Sequence, residues 1–353
     1  MKRMKILDIS FLEENYLRIK ENTLQGRWIT FNEIKELFAS LPSFIEYELI
    51  GESEREVPIY KLKLGNGSKK ILMWSQMHGN ESTGTKAVFD FLNFLKYEST
   101  TEIVKTILSN TEIHIIPMLN PDGAQAYTRV NSFGVDLNRD AVALQAKESK
   151  LLRKILDKIN PEFCFNLHDQ RTIFGVEGTK NPATISFLAP SEEESRKITD
   201  GRKETMNVIV VMNELLQKVI PNHVGRYTDE FYPTATGDNF QKLGHNTILI
   251  EAGHYPNDYE RELVRKFNFY AILQGVYHIS ITEDFKIYEK YFSIPNNVKN
   301  FFDVIYRSKN NKKDIAYQYV EKIESNKFAL DLVKEKEGDL SSYLSHKEFN
   351  INE

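Results

Sequence analysis

The sequence predicts an α/β fold: a mostly parallel mixed sheet flanked by helices on both faces, followed by a small β-rich C-terminal appendage. Three observations carry that expectation. Between about residues 45 and 280, short apolar runs alternate with stretches of helical spacing. The run Asn246–Glu251 (NTILIE) reads as a strand buried on both faces, as strands of a parallel sheet are. Beyond about residue 284 the pattern changes to short alternating runs such as Phe302–Tyr306 and Ile315–Val320.

Taken in order, residues 11–23 and 31–40 have helical spacing and make residues 1–44 a helical lead-in. Lys70–Gln76 (KILMWSQ) is an apolar strand, followed by a short loop and a helix from Thr83 to Tyr97. Glu112–Met118 (EIHIIPM) is the next strand and stops at the breaker run Asn120-Pro121-Asp122-Gly123. A charged amphipathic helix is expected at about 145–159, then strands at Glu162–Leu167 and Ile185–Ala189. Helical periodicity runs from about 199 to 220 and stops at Pro221. After Asn246–Glu251, a helix from about Asp258 to Ile279 completes a unit spanning 45–283, and 284–353 is the appendage.

Composition narrows the function classes. The 353 residues include 46 Lys and Arg against 50 Asp and Glu, a formal charge of −4, which argues against a nucleic-acid surface. The Lys-rich stretches 309–313 and 333–336 are interleaved with acids or Asn and read as solvated surface. The one cysteine, Cys164, sits in the apolar run Phe163-Cys164-Phe165; it forms no internal disulfide and reads as a buried thiol. No window reaches the ~18 consecutive apolar residues of a membrane span. The first twenty residues lack the apolar core of about 7–15 residues found in a signal peptide, so a cytoplasmic protein is expected.

Chemistry is expected where strands end, because ligands of open α/β sheets bind beyond the carboxyl ends of the strands. His78 and Glu81 follow the strand 70–76; Asp136, Asn138 and Arg139 follow 112–118 after a loop; His168 follows 162–167; Glu251 ends 246–251. A catalytic zinc takes three protein ligands of the His and Glu type. His78, Glu81 and His168 meet that requirement and leave Glu251 as a general base. Taken singly, each reads almost as well otherwise. Eight histidines give roughly one His-x-x-Glu pair by chance. His78 alone could be a loop histidine bonded to backbone, and His168 alone a satisfied strand-end side chain. Glu251 is harder to explain away, since an acid ending Ile248-Leu249-Ile250 is costly to bury unpaired. Their joint occurrence at strand ends makes the argument.

The residues resemble the zinc carboxypeptidase family of the carboxypeptidase A type. The resemblance rests on Met77-His78-Gly79-Asn80-Glu81-Ser82-Thr83-Gly84, Asn120-Pro121-Asp122-Gly123, Arg129, Gly134-Val135-Asp136-Leu137-Asn138-Arg139, His168 and Glu251, in the family's order over about residues 45–280. It implies one Zn2+ per chain held by His78, Glu81 and His168, with Asp136 orienting His78. It further implies Glu251 as the base that activates water and returns the proton to the leaving amine, and Arg129 as the cation facing the developing oxyanion. Asn138 and Arg139 would clamp a substrate's terminal carboxylate. Away from these motifs, Arg129 and Asn138-Arg139 would read as solvated loop residues. The family's mobile tyrosine has two matches, Tyr227 and Tyr232, of which Tyr232 is the candidate. Thr236 and Asp238 lie near the position of the specificity pocket, although Asp238 equally suits a turn cap. Only 87 positions separate Glu81 from His168, so a rather open cleft is expected.

The activity implied is hydrolysis of a peptide bond next to a free C-terminal carboxylate, on a peptide or small carboxylate-bearing substrate. Two rivals stand beside it. Deacylases of the succinylglutamate desuccinylase and aspartoacylase kind share the His-Gly-Asn-Glu and Asp-Leu-Asn-Arg patterns, and cleavage of cell-wall peptides is a related option. The other rival is a non-catalytic binding protein on the same fold, which the presence of all three ligands and the base disfavours.

Overall fold

The computed structural model describes residues 5–308 and 313–351. Two helices, α1 (Ile9–Ile19) and α2 (Phe31–Phe38), lead into an antiparallel pair, β1 (Ile45–Glu52) and β2 (Pro58–Leu64). Then come β3 (Lys69–Trp74), α3 (Thr83–Tyr97), α4 (Glu102–Asn110), β4 (Thr111–Ile116), α5 (Pro121–Ala126), α6 (Lys147–Ile159) and β5 (Phe163–Asp169). They are followed by β6 (Phe174–Val176), β7 (Ile185–Leu188), α7 (Asp200–Leu216), β8 (Val224–Arg226), α8 (Thr236–Lys242), β9 (Asn246–Ala252) and α9 (Glu262–Ile281). The chain ends in β10 (Asn297–Lys299), β11 (Phe301–Ser308), β12 (Asp314–Glu324), β13 (Lys327–Gly338) and β14 (Leu344–Ile351). The Lys-rich stretch 309–313 lies outside the described residues except for Lys313.

The main sheet runs β1-β2-β4-β3-β5-β9-β7-β8, and β4, β3, β5 and β9 form its parallel centre. Side chains alternate across it as the pleat demands. Ile71 and Met73 of β3 and Phe163 and Phe165 of β5 join α3, α7 and α9 in the larger core. Leu72, Trp74 and Cys164 point the other way, toward Leu152 and Ile155 of α6 and Phe240 of α8. Both faces are therefore covered, which is why the central strands are apolar throughout.

The structure differs from expectation at several helices: α5 forms at the run expected to break the chain, with Pro121 in its first turn and Asn120 accepting from Gly123 N, and α8 forms in a stretch where no helix was expected. Helix α9 begins at Glu262, not near Asp258, because the Asp258 carboxylate accepts from the backbone N–H groups of Glu262, Leu263 and Val264 and so caps the helix from outside it. Helix α4, which follows Tyr97 closely, was not anticipated; Thr101 caps it by accepting from Val104 N at 3.4 Å.

The C-terminal sheet has the order β13-β12-β11-β14, with β11 and β14 parallel. It is bound to the main body through polar groups. The buried Asp303 of β11 accepts from Tyr259 Oη (3.0 Å), Thr172 Oγ1 (3.1 Å) and its own sheet's Tyr319 N (2.8 Å). Glu321 of β12 accepts from Arg27 (2.8 Å) and Tyr127 Oη (2.9 Å). No described helix is long and apolar enough to cross a membrane.

A fully buried ion pair ties α9 to α3. Arg265 Nη2 lies 2.6 Å from Asp90 Oδ1, and both side chains have no exposed surface. Asp90 also accepts from Tyr16 Oη and Glu21 N, joining the N-terminal segment to the same knot. Breaking a buried pair leaves an uncompensated charge, so Asp90→Ala should cost roughly 3–5 kcal/mol of stability. Urea unfolding of the variant beside the wild type measures this, and a loss below about 1 kcal/mol would contradict the role given to the pair.

Candidate metal centre and cleft

The loop after β3 turns on backbone packing. Gln76, at φ 50°, leaves the strand in the left-handed region and is held there by its side chain, which donates to Ile29 O and Gly79 O and accepts from Thr85 Oγ1. Gly79 then lies so close to Gly123 that a Cβ would come within 1.9 Å of the Gly123 carbonyl carbon. Asn120 joins the two loops, donating to Met77 O and accepting from Gly123 N. Asp122 braces the far side by accepting from Ser53 Oγ, Arg55 N and Ser132 Oγ. The Asn-Pro-Asp-Gly run thus buttresses the His78–Glu81 loop.

That loop aims two side chains at the end of β5. His78 Nδ1 lies 2.8 Å from Glu81 Oε1, His168 Nδ1 lies 2.8 Å from Glu81 Oε2, and the two Nδ1 atoms are 3.1 Å apart. One donor atom from each residue fits within a 4.8 Å spread, the one such group of three or more among the described residues. Asp136 sits 3.1 Å from His78 Nε2, the position of a carboxylate that fixes the imidazole's tautomer. With a proton on Nε2, His78 presents a lone pair at Nδ1 to a carboxylate oxygen and another Nδ1. Such converging acceptors require positive charge between them, and two imidazole nitrogens with one carboxylate are the donor set of a catalytic zinc site. The residues present therefore fit the metal.

The electrostatics agree. Burial opposes ionisation of Glu81, but His78 and His168 outweigh it and hold the carboxyl well below its usual range. Burial likewise works against a charged His78, and Glu81 and Asp136 overcome it, raising its pKa; the same two carboxylates would favour a metal cation taking the proton's place at Nδ1. Burial keeps His168 neutral, as a metal-binding imidazole must be. Glu251 lies opposite His168 in the β5–β9 register. Burial, then Glu81 and Asp169, push its carboxyl well above the usual range. A divalent cation at the cluster would draw it back down.

Arg129, Asn138, Arg139 and Glu251 line the same cavity, of about 610 Å3. Arg129 Nε donates to Asp136 Oδ2 at 2.9 Å, and its Nη1 lies 3.2 Å from His78 Nδ1. Asn138 and Arg139 occupy a 3₁₀ turn, Leu137–Arg139, capped by Asp136. Asn138 Oδ1 accepts from Thr236 N, while Arg139 is exposed, with no acidic partner among the described residues. Tyr232 is not in the cavity lining: its hydroxyl meets Glu230 and its ring lies beside Arg139, 6.0 Å from centroid to guanidinium carbon. Tyr227 does line it, with its hydroxyl donating to Gln170 Oε1 at 2.7 Å. Asp238 accepts from Tyr232 N, and burial pushes its pKa up to about 6.

Sequence reasoning missed the other half of the lining: Arg27, Arg171, His254, Arg261 and, from the C-terminal sheet, Gln318–Glu321 and Leu330. His254, three residues beyond Glu251, was within reach of the motif argument; nothing in the sequence pointed to β12. The expected open cleft is instead walled on that side by β12 and β13. A larger cavity of about 1190 Å3 lies at the end of α9, around His278 and Phe285. Among the described residues the convergent metal donors lie in the smaller cavity, which is therefore the candidate site.

Comparison with known proteins agrees with this geometry. The sequence pattern of the zinc carboxypeptidase family matches residues 31–212. A γ-D-glutamyl-L-diamino acid endopeptidase of Lysinibacillus sphaericus is 35% identical over 98 residues, which are 26% of this chain and 24% of that protein. Carboxypeptidase SOL1 of Arabidopsis thaliana is 25% identical over 167 residues, 42% of this chain and 34% of that one. The chain thus spans about a third or less of the curated relatives it matches. Carboxypeptidase A of Helicoverpa armigera superposes with a TM-score of 0.58 at 16% identity over 80% of this chain and 83% of that one, a likeness of fold.

Metal binding provides the check on the cluster. Metal-free protein titrated with Zn2+ should take up one equivalent, and His168→Ala should abolish that uptake. Asp136→Ala should weaken it about 10- to 100-fold, the usual effect of losing a carboxylate behind a ligating histidine. Competition against a chromogenic chelator reads both, and undiminished uptake by His168→Ala would contradict the assignment.

Proposed function

The chain belongs to the zinc carboxypeptidase family, and on that premise we propose that it is a zinc metallocarboxypeptidase, hydrolysing the peptide bond beside a free C-terminal carboxylate. The observation that carries the reading is the approach of His78 Nδ1, Glu81 and His168 Nδ1 to one point in a cavity that also holds Glu251 and Arg139, which has no acidic partner among the described residues. A zinc ion held by the three side chains supplies the positive charge that lowers the pKa of a water molecule toward about 7 and polarises a carbonyl.

The chain's own groups do the rest. Arg139, with no acidic partner among the described residues and only Nη1 engaged, by the Asn138 carbonyl at 2.8 Å, offers its guanidinium to the substrate's terminal carboxylate, with Asn138 beside it. Asp136 holds the His78 ring in orientation and anchors Arg129 Nε, and Nη1 lies against His78 and Glu81, which leaves Nη2 to meet the carbonyl oxygen as it gains charge. Glu251 takes a proton from the attacking water and delivers it to the departing amine nitrogen, so the products are a new carboxylic acid and a free amino acid. A cation at the cluster would offset the burial and the Glu81 charge that raise the proton affinity of Glu251 in the metal-free site, leaving a carboxylate able both to accept that proton and to release it.

The Lysinibacillus relative's name specifies a γ-D-glutamyl-L-diamino acid bond, and its 35% identity supports a second reading, cleavage of a short cell-wall peptide by the same site.

Glu251→Gln should reduce kcat by about 10²–10⁴-fold, the usual contribution of a general base, while one equivalent of zinc stays bound. Turnover within a few-fold of wild type would remove Glu251 from the reaction. Arg139→Ala should reduce kcat/KM about 10- to 100-fold on free-acid peptides, mainly through KM, and leave cleavage of the corresponding C-terminal amides nearly unchanged. Steady-state kinetics on matched acid and amide peptides measure this, and equal losses on both would contradict a carboxylate clamp.

A further inference from the structure

The cavity continues past the cluster to the C-terminal sheet, and the reaction above gives that half nothing to do. Three of its side chains have spare polar capacity. His254 is 1% exposed, and neither ring nitrogen has a hydrogen-bond partner among the described residues. Its ring is fixed between Tyr259 and His346, at centroid distances of 4.7 and 4.0 Å. Burial, then the neighbouring His346, Arg261 and Arg27, keep it neutral, so it offers one N–H and one lone pair. Gln318 of β12 is 3% exposed and donates its amide to Thr172 Oγ1 and Asp303 Oδ2, leaving Oε1 unpartnered. Arg171, just beyond β5, is exposed at the cavity wall and has no acidic partner among the described residues. These groups are neighbours: Thr172, which follows Arg171, accepts from Gln318 at its hydroxyl and from His346 Nε2 at its carbonyl.

The charges of the lining point to what would bind there. Arg27 is matched by Glu321, Arg129 by Asp136 and Arg261 by Asp169. Arg139 and Arg171 are left without an acidic partner among the described residues. Arg139 belongs to the turn capped by Asp136 and its guanidinium lies beside the Tyr232 ring, whereas Arg171 directly precedes Thr172, which is bonded to Gln318 and His346 of the C-terminal sheet. With Arg139 committed to the terminal carboxylate, the second free guanidinium matches a second negative group on the acyl side of the scissile bond.

We propose that Arg171, His254 and Gln318 form a subsite for a carboxylate-bearing residue on the acyl side, so that preferred substrates carry an acidic residue there. Arg171 and the His254 N–H meet its carboxylate, and Gln318 Oε1 accepts from a backbone N–H of the substrate. The C-terminal sheet is then a wall of the substrate site. The inference rests on the peptidase reading, and its test separates the two.

N-acetyl dipeptides with Glu, Gln or Ala at the acyl position, in parallel series ending in alanine and in lysine, are titrated calorimetrically into zinc-loaded Glu251→Gln protein, where binding is read without turnover. The Glu peptides should bind at least tenfold more tightly than the Gln peptides. Adding Arg171→Ala, an exposed change that spares the core, should reduce that preference to within twofold and leave the Ala peptides unaffected. Equal affinity for Glu and Gln, binding of none of the peptides, or a preference that survives Arg171→Ala overturns the subsite. Hydrolysis by wild-type protein is followed separately. Cleavage without acidic preference overturns the subsite alone, whereas Glu-selective binding without cleavage overturns the peptidase reading and leaves the subsite standing.

Discussion

A buried carboxylate, Glu81, is the constraint around which the rest of the site is arranged. An isolated carboxylate is expensive to remove from water, so every neighbour must repay some of that cost. His78 and His168 approach its two oxygens, Asp169 N donates to it, and Arg129 Nη1 stands 3.5 Å away. Each of these is itself held. Asp136 fixes His78 and Arg129, and the Asp169 side chain is pinned by Thr83 and Arg261. The Gly79–Gly123 contact sets the loop that carries Glu81 to this point. A divalent ion would satisfy the two imidazole nitrogens and the Glu81 oxygens at once, the donor set of a catalytic zinc site, while the Asp169 N–H steadies the carboxylate from behind.

The fold supplies the rest through topology. From β3 the chain moves out to β4 on one side and to β5 on the other, so the carboxyl ends of the parallel strands open around a switch point. His78, His168 and Glu251 arrive there from β3, β5 and β9, and the 3₁₀ turn at Leu137–Arg139 brings the arginine fork alongside. The C-terminal sheet closes the far side through partly buried polar contacts at Asp303, Glu321 and His346. Interfaces built this way fix orientation through hydrogen-bond geometry, a property suited to the wall of a binding site.

Much of this was legible in the sequence, for identifiable reasons. Central strands buried on both faces leave an unbroken apolar signature, and β3, β5 and β9 were each found within about two residues. Helix α3 was found over its whole length, from Thr83 to Tyr97. The cluster was legible because its residues lie at strand ends and within short motifs. The less legible features depend on contacts distant in sequence. Asp258 caps α9 from outside the helix, so periodicity placed the helix start too early. Gln318 and Glu321 reach the cleft by folding back across more than a hundred residues, and alternation along β12 says only which side chains share a face. His254 lay three residues from Glu251, yet its significance comes from lacking a hydrogen-bond partner among the described residues, a property only the packed structure has.

The central claim, that His78, Glu81 and His168 hold one zinc ion through Nδ1, Oε and Nδ1, is tested most directly by anomalous diffraction at the zinc edge from crystals of the zinc-loaded protein. The account predicts a single strong peak about 2.0–2.2 Å from those three side chains, with Asp136 bonded to His78 Nε2 behind it. A peak at His254 and His346 instead, or none in the cavity from protein shown to carry zinc, would contradict it.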